Sequence, residues 1–216
     1  MKYAAISLFV LMAGTGLFLA ALPWLEEYAD AEVAPVAGLP TQDGLPFVDP
    51  DNLPELYPVT KFAMFDQDEE VFASEQLDGS IWVGYMFFTG CPGQCPIMTS
   101  NMKKVAEAMA DEEQVHIAGI SVDPTNDTPE RLTQYRGQYG IDSSRWHLLT
   151  GPMQHVQKIA LDGFRLGSVE DPVFHSDKFV LVDGGGMIRG YFTGTDDAEV
   201  RRLIEALGTL LEESDA

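Results

Sequence analysis

The chain has 216 residues, of which 34 are acidic and 13 are basic, so its formal net charge is −21 at pH 7. This charge argues against nucleic acid and anionic lipid headgroups as partners of the folded part. A hydrophobic content of 45 % is ordinary for a globular protein and excludes wholesale disorder. Two cysteines exclude a disulfide-rich scaffold and any four-cysteine metal site within one chain.

The first residues predict export across a membrane. After Lys2, residues 3–22 form an uncharged and mostly apolar run, and a helix needs about 20 such residues to cross a bilayer. Lys2 on one side and acidic residues on the other keep the N-terminus in the cytoplasm. We therefore expect residues 1–22 to be a transmembrane anchor in the lipid bilayer, with a cleaved signal as the alternative because Ala20 and Ala21 offer small residues near a cut site.

The next segment predicts a linker, and a folded domain follows it. Residues 23–57 are rich in proline and acidic side chains, which is typical of an extended tether or a wrapping arm. The pattern becomes globular from about Val59, and we place the folded domain at residues 58–213. The prolines that interrupt regular structure in the tether are Pro35, Pro40, Pro46, Pro50 and Pro54.

Hydrophobic patterning within the domain predicts alternating strands and helices. The run from Ile81 to Phe88 is apolar on both faces and is typical of a central strand in a covered sheet. The order of elements indicates a mixed α/β structure with a largely parallel centre. In chain order, we predict a hairpin at 62–65 and 71–72, a strand at 81–88, a helix at 101–110, a strand at 115–122, a helix opened by residues 128–130, a strand at 146–149, a helix at 152–161, a hairpin at 179–182 and 187–192, and a helix at 195–211.

Both cysteines lie directly after the predicted central strand, in the sequence Thr-Gly-Cys-Pro-Gly-Gln-Cys-Pro of residues 89–96. We expect Cys91 and Cys95 at or inside the first turn of a helix, where their spacing places both sulfur atoms on one face. Their Cα atoms would then lie roughly 6 Å apart, which a disulfide tolerates. A helix N-terminus favours thiolate over thiol. Such a pair can chelate a soft metal or exchange between dithiol and disulfide.

A third metal ligand has to come from elsewhere, and the four histidines are the candidates. His116 and His147 fall within predicted strands, and His155 falls on the predicted surface of a helix, so we interpret these three as structural. His175 precedes a predicted strand, and a loop at such a junction can face the loop that carries the cysteines. Two thiolates and one imidazole make a suitable trigonal set for Cu(I) or Cu(II).

The cysteine segment, together with four other segments, resembles the Sco/SenC family of copper proteins. The resemblance runs from roughly residue 59 to residue 211. It implies a thioredoxin-like α/β domain with a mixed central sheet flanked by helices, exported behind one N-terminal anchor. The segments are Phe-Phe-Thr-Gly-Cys-Pro-Gly-Gln-Cys-Pro at 87–96, Ile-Ser-Val-Asp-Pro at 120–124, Asp-Thr-Pro-Glu at 127–130, Trp-His-Leu-Leu-Thr-Gly at 146–151 and Phe-His-Ser at 174–176.

The resemblance also implies a function and its residues. Cys91, Cys95 and His175 match the family's copper ligands, with copper as Cu(I) or Cu(II), one per chain. The protein would be a copper chaperone in the inner (cytoplasmic) membrane, single-pass, with its domain facing the periplasm. Its partner would be cytochrome c oxidase subunit II or another exported copper protein. Gly93 departs from the family, which usually has an aspartate there, and the acid before His175 is displaced to Asp171.

Three other functions use the same sequence features. A thiol–disulfide oxidoreductase would use Cys91 and Cys95 as a redox-active pair that reduces the partner's copper-ligand cysteines, without need of His175. A peroxiredoxin-like peroxidase needs a cation near its reactive thiol, and the nearest basic residues in sequence, Lys103 and Lys104, lie well along the helix. A binding module with an inert Cys91–Cys95 disulfide is the third, although so short a loop adds little stability.

Overall fold

The central strand of the sheet forms where the sequence is apolar on both faces. A computed structural model describes residues 48–141, 144–166 and 176–214. Within it, β4 (Ile81–Phe87) is buried along its whole length, because alternate side chains point to opposite faces of the sheet and both faces are covered. Val83, Tyr85 and Phe87 face one hydrophobic cluster, and Trp82 and Met86 face the other.

A six-stranded sheet has the order β1-β8-β7-β4-β5-β6. β4 pairs in parallel with β5, and β5 pairs in parallel with β6, whereas β4–β7, β7–β8 and β8–β1 are antiparallel. The sheet is therefore mixed, as expected, although its parallel part is confined to one side of β4. Its other strands are β1 (Tyr57–Pro58), β5 (Val115–Ser121), β6 (Trp146–Leu149), β7 (Lys178–Val182) and β8 (Met187–Thr193).

Helices cover one face of the sheet, and a hairpin with a short helix covers the other. The first layer consists of α1 (Gln94–Ala108), α2 (Pro129–Tyr139) and α4 (Asp197–Ser214), which pack in one core cluster. The second consists of a hairpin, β2 (Ala63–Phe65) with β3 (Val71–Ala73), and of α3 (Met153–Lys158), continued by a π-helical turn at Ile159–Gly163. A 3-10 turn at Ser74–Leu77 follows β3.

Capping residues set the starts of α2 and α4 as predicted. The Thr128 hydroxyl accepts a hydrogen bond from the Arg131 amide at the start of α2, and Pro129 occupies the first helical position. Gly140 ends that helix with a φ of 60°, a conformation that glycine adopts without strain. The Asp196 carboxylate accepts hydrogen bonds from two amides in the first turn of α4.

Residues 48–58 pack against the sheet rather than leading directly away from it. Val48 and Leu53 are buried in the same core cluster as α4, and β1 pairs with the edge of β8. The buried Arg189 guanidinium donates hydrogen bonds to the carbonyls of Leu53 and Pro54. This segment, hereafter the arm, belongs to the folded unit.

The predicted anchor, residues 1–22, lies outside the described residues. Within the part of the chain that the structure describes, no helix combines the length and apolar character needed to span a bilayer.

Candidate metal centre

The cysteine segment connects the end of β4 to the start of α1. Phe87 is the last residue of the strand and Gln94 is the first residue of the helix. Cys95 therefore lies in the first helical turn, as predicted, but Cys91 lies three residues before the helix. The amide of Cys91 donates a hydrogen bond to the carbonyl of Phe88, so a turn rather than a helix presents this residue.

The two thiols differ in exposure, although their side chains interact. Cys95 is 4 % exposed and packs in the core cluster below α1, whereas Cys91 is half-buried. Both are free thiols, and their side chains are joined by a hydrogen bond. The structure thus describes the reduced pair, and the Cys91–Cys95 disulfide stays a prediction.

Burial and hydrogen bonding shift the pKa values of the two thiols in opposite directions. Burial raises the pKa of Cys95 to about 12, and its hydrogen bond to Cys91 acts in the same direction. Burial also opposes ionisation of Cys91, but hydrogen bonds from Cys95 and from the backbone of residues 93–95 outweigh it and lower the pKa of Cys91. Cys91 is therefore the more accessible thiol and the one whose ionisation is favoured, and the ionised form of a cysteine is both the nucleophile and the metal ligand.

Of the four histidines, His175 lies outside the described residues, and the other three lie away from the cysteines in sequence. The rings of His116 and His147 stack with their centroids 6.1 Å apart, which fits the structural role expected of them. The surface position expected for His155 is wrong. Its side chain is only 8 % exposed, because it lies against the backbone of Ala63 in the β2–β3 hairpin, and burial lowers its pKa.

Among the described residues, no group of three or more histidine, cysteine, aspartate or glutamate side chains is arranged to hold a metal ion. The cysteine pair supplies two soft donors at the surface end of a core helix, and soft thiolate ligands select Cu(I). The donor chemistry of the pair fits copper, and completing a trigonal set needs one further ligand.

A buried aspartate beside the cysteine segment was not identified from the sequence. Asp127 is fully buried and accepts three hydrogen bonds, from the Thr89 amide at 3.0 Å, the Thr89 hydroxyl at 2.5 Å and the Ser121 hydroxyl at 2.6 Å. In the sequence, Asp127 is the first residue of the Asp-Thr-Pro-Glu segment. That segment was interpreted as the start of a helix capped by Thr128, so it gave no separate role to Asp127. Nothing in that pattern indicates burial.

Gly93 is the N-terminal cap residue of α1, and no side chain there accepts a hydrogen bond from the helix. A Cβ at this position would meet no atom within 4 Å. The surrounding atoms therefore leave space for a side chain. With glycine at position 93, the first turn of α1 has no acidic residue close to the thiols. Compared with the aspartate that is usual in the family, glycine therefore removes a negative charge.

Comparisons with known proteins agree with this architecture. The SCO1/SenC family model matches residues 53–212. The SCO1 protein homolog of Bacillus subtilis is 31 % identical over 147 residues, which cover 65 % of this chain and 76 % of that protein. One structural neighbour is a SCO1/SenC family lipoprotein from Bacillus anthracis, with a TM-score of 0.65 and 29 % identity over 72 % of this chain and 95 % of the other.

Two further structures extend the comparison. BsSco, a member of the Sco family of cytochrome c oxidase assembly proteins in which a disulfide switch was identified, aligns with a TM-score of 0.63 and 28 % identity, covering 76 % of this chain and 96 % of its own. ScoI of Bradyrhizobium japonicum with copper bound, at 22 % identity and a TM-score of 0.57 over 73 % of this chain and 99 % of its own, shares the fold. With a family model spanning most of its length and a thioredoxin-like fold shared with these proteins, the chain belongs to the SCO1/SenC family.

Proposed function

We propose that this protein is a membrane-tethered, periplasm-facing copper chaperone that binds one copper ion through Cys91, Cys95 and His175. The observation that carries the proposal is the reduced cysteine pair itself, with one half-buried thiol of lowered pKa beside a buried one. Copper is bound in the structure of the family member ScoI. Membership of a family of cytochrome c oxidase assembly proteins supports delivery to subunit II of that enzyme.

Sheet topology supports His175 as the third ligand. β7 runs antiparallel to β4, with Tyr85 opposite Phe179. Continued in the same register, this pairing aligns position 176 with position 88, where the cysteine segment begins. Ser176 is described and buried, and consecutive Cα atoms are about 3.8 Å apart. Ser176, which follows His175 in sequence, therefore lies at the end of the sheet where the cysteine segment begins.

The difference between the two thiols suits a carrier rather than a permanent metal centre. Cys95 is fixed in the core cluster, so it would serve as the buried ligand. Cys91 is the accessible ligand. A thiolate of a donor or acceptor protein can take its place on the metal by ligand exchange. In this proposal, residues 1–22 anchor the chain in the inner membrane with a single pass. The segment that follows, up to the arm, raises the local concentration of the domain near a membrane-embedded partner.

The test is an anaerobic copper titration of the reduced full-length protein and its His175→Ala variant. We expect one copper per chain with a sulfur-to-copper charge-transfer band, and a large loss of affinity in the variant. His116→Ala is the matched control, because His116 lies near the start of β5, at the opposite end of the strand from Ser121. Quantitative copper binding by the His175→Ala variant would rule out the three-ligand site.

The opposite pKa shifts of the two cysteines also favour a second function. In it, the protein is a thiol–disulfide oxidoreductase that reduces the copper-ligand cysteines of the same partner. A low-pKa, accessible Cys91 is suited to attack a disulfide, and Cys95 is placed to resolve the mixed disulfide. In this case, disulfide exchange with a model peptide survives His175→Ala but is lost in Cys91→Ala. Stoichiometric copper binding without measurable exchange would leave only the chaperone.

A further inference from the structure

The buried carboxylate of Asp127 links Thr89, at the start of the cysteine segment, to Ser121 at the end of β5. One oxygen accepts the Thr89 hydroxyl, and the other accepts both the Thr89 amide and the Ser121 hydroxyl. The Thr89 hydroxyl in turn accepts a hydrogen bond from Arg131 Nε at 3.2 Å. A buried carboxylate is costly unless it is hydrogen-bonded, and here both of its oxygens have partners.

Holding the strands together does not explain this cluster. The ladder between β4 and β5 already reaches Phe87 opposite Ser121, and the Val122 amide donates to the Phe87 carbonyl at 2.8 Å. Thr89 lies beyond the ladder, two residues before Cys91. The contacts of Asp127 thus fix the first part of the chain that leaves the sheet.

We propose that Asp127 is a positioning residue that holds Thr89, and through it the turn carrying Cys91, in the conformation in which Cys91 meets Cys95. Two fixed points then define the segment. Asp127 holds its beginning, and the packing of Cys95 in the core cluster holds its end. The consequence for metal binding rests on the proposed copper function, whereas the consequence for the conformation of the segment does not.

The experiment compares Asp127→Asn with Glu130→Gln in the full-length protein. Both substitutions remove one negative charge. Glu130 is exposed, however, and in the part of the chain that the structure describes it forms no hydrogen bond with Thr89. Amide hydrogen exchange of the peptide covering residues 88–93 measures the conformation of the segment, and an anaerobic copper titration measures affinity. Peptides from the centre of β4 report whether the fold is retained.

We expect exchange in the segment to become at least about tenfold faster in Asp127→Asn, with β4 unchanged, and copper affinity to fall about 10- to 100-fold, as for other residues that orient metal ligands. Glu130→Gln should match the wild type in both measurements. Unchanged exchange in the segment of Asp127→Asn would overturn the proposal. If the wild type binds no copper, the proposed function fails, but the exchange data still decide the role of Asp127.

Thr89 provides a second route if Asp127→Asn does not fold. Thr89→Val removes the hydroxyl but keeps the shape and the amide, so it should reproduce part of the faster exchange and of the weaker copper binding. Thr89→Ser keeps the hydroxyl and should restore both. Equal behaviour of the two variants would contradict a role for the Asp127–Thr89 contact.

Discussion

Cys91 and Cys95 are four positions apart in the chain, but they experience different surroundings. Cys95 packs in the core, where burial keeps it protonated, and its thiol hydrogen-bonds to Cys91 and favours the thiolate there. One cysteine therefore sets the chemistry of the other. The consequences of this coupling are measurable by substitution.

Replacing Cys95 with alanine should raise the pKa of Cys91, because it removes the side-chain hydrogen bond that favours the Cys91 thiolate. The rate of alkylation of Cys91 by iodoacetamide, measured against pH, reports this pKa. In the wild type, reactivity should rise at lower pH than for an ordinary thiol, and in Cys95→Ala the profile should move to higher pH. Cys91→Ala serves as the control, in which the buried Cys95 should react slowly.

Gly93→Asp should also raise the pKa of Cys91, because a carboxylate at the cap of α1 places a negative charge beside the thiolate. The matched control is Gly93→Asn, which offers a similar cap without the charge. Alkylation profiles that coincide for the two variants would show that charge at position 93 does not control Cys91.

At the residue scale, the sequence located the cysteine pair by its motif, but it did not predict which polar side chains are buried. The Cys-x-x-x-Cys spacing identified the thiols that meet. Burial of His155 and of Asp127 depends on how α3 and the β4–β5 edge pack, and no short pattern of residues encodes that packing. The sequence also placed Cys91 too close to the helix, which begins at Gln94.

Among the elements, β4 shows most directly why a sequence pattern predicts a fold. The apolar run from Ile81 to Phe88 gave its type and its central position, and the structure confirms both, with the strand ending at Phe87. The strands that pair with β4 were harder to predict. Its antiparallel neighbour β7 is joined to it only through a connection of many residues. Hydrophobic periodicity determines that a strand is buried, but not which neighbour covers each edge.

Gly84→Ala should destabilise the domain by about 1–3 kcal/mol, as is usual for overpacking a core. A Cβ at Gly84, in the middle of β4, would overlap the ring of Phe164, which is fully buried. Gly208→Ala is the control, because Gly208 lies in α4 with no atom near its missing Cβ. That substitution should stabilise the domain by about 0.5–1 kcal/mol, as measured by urea unfolding of both variants.

For the whole molecule, the arm and the net charge act in opposite directions on stability. The arm adds Val48 and Leu53 to the main core and supplies backbone acceptors for Arg189. The charge of −21 makes the compact state repel itself. Both effects lie outside the cysteine site and can be varied without altering it.

Leu53→Ala should cost about 2–5 kcal/mol of unfolding free energy, since Leu53 is 7 % exposed and its removal leaves a cavity between the arm and the sheet. Ile97→Ala is the contrasting variant, because Ile97 is 51 % exposed, and it should change stability by less than about 0.5 kcal/mol. Urea unfolding measures both. A loss for Leu53→Ala as small as that for Ile97→Ala would show that the arm does not contribute to the folded core.

Raising the salt concentration should stabilise the protein, because screening shortens the range of repulsion from about 30 Å at 0.01 M to about 8 Å at 0.15 M. Urea unfolding at these two concentrations of NaCl, and again with KCl, measures the effect without adding a charged denaturant. A free energy of unfolding that falls with both salts would mean that attractive ion pairs, such as Arg189–Asp183, outweigh the repulsion.

The two edges of the six-stranded sheet have a consequence for behaviour at high concentration. One edge is β1, a strand of two residues that ends in Pro58, and the other is β6, a strand of four residues. Proline has no amide hydrogen to offer a neighbouring strand, and short edges give an incoming chain little to pair with. At high concentration, copies of the protein should therefore resist edge-to-edge aggregation. Each domain would then remain free to bind a partner on its own.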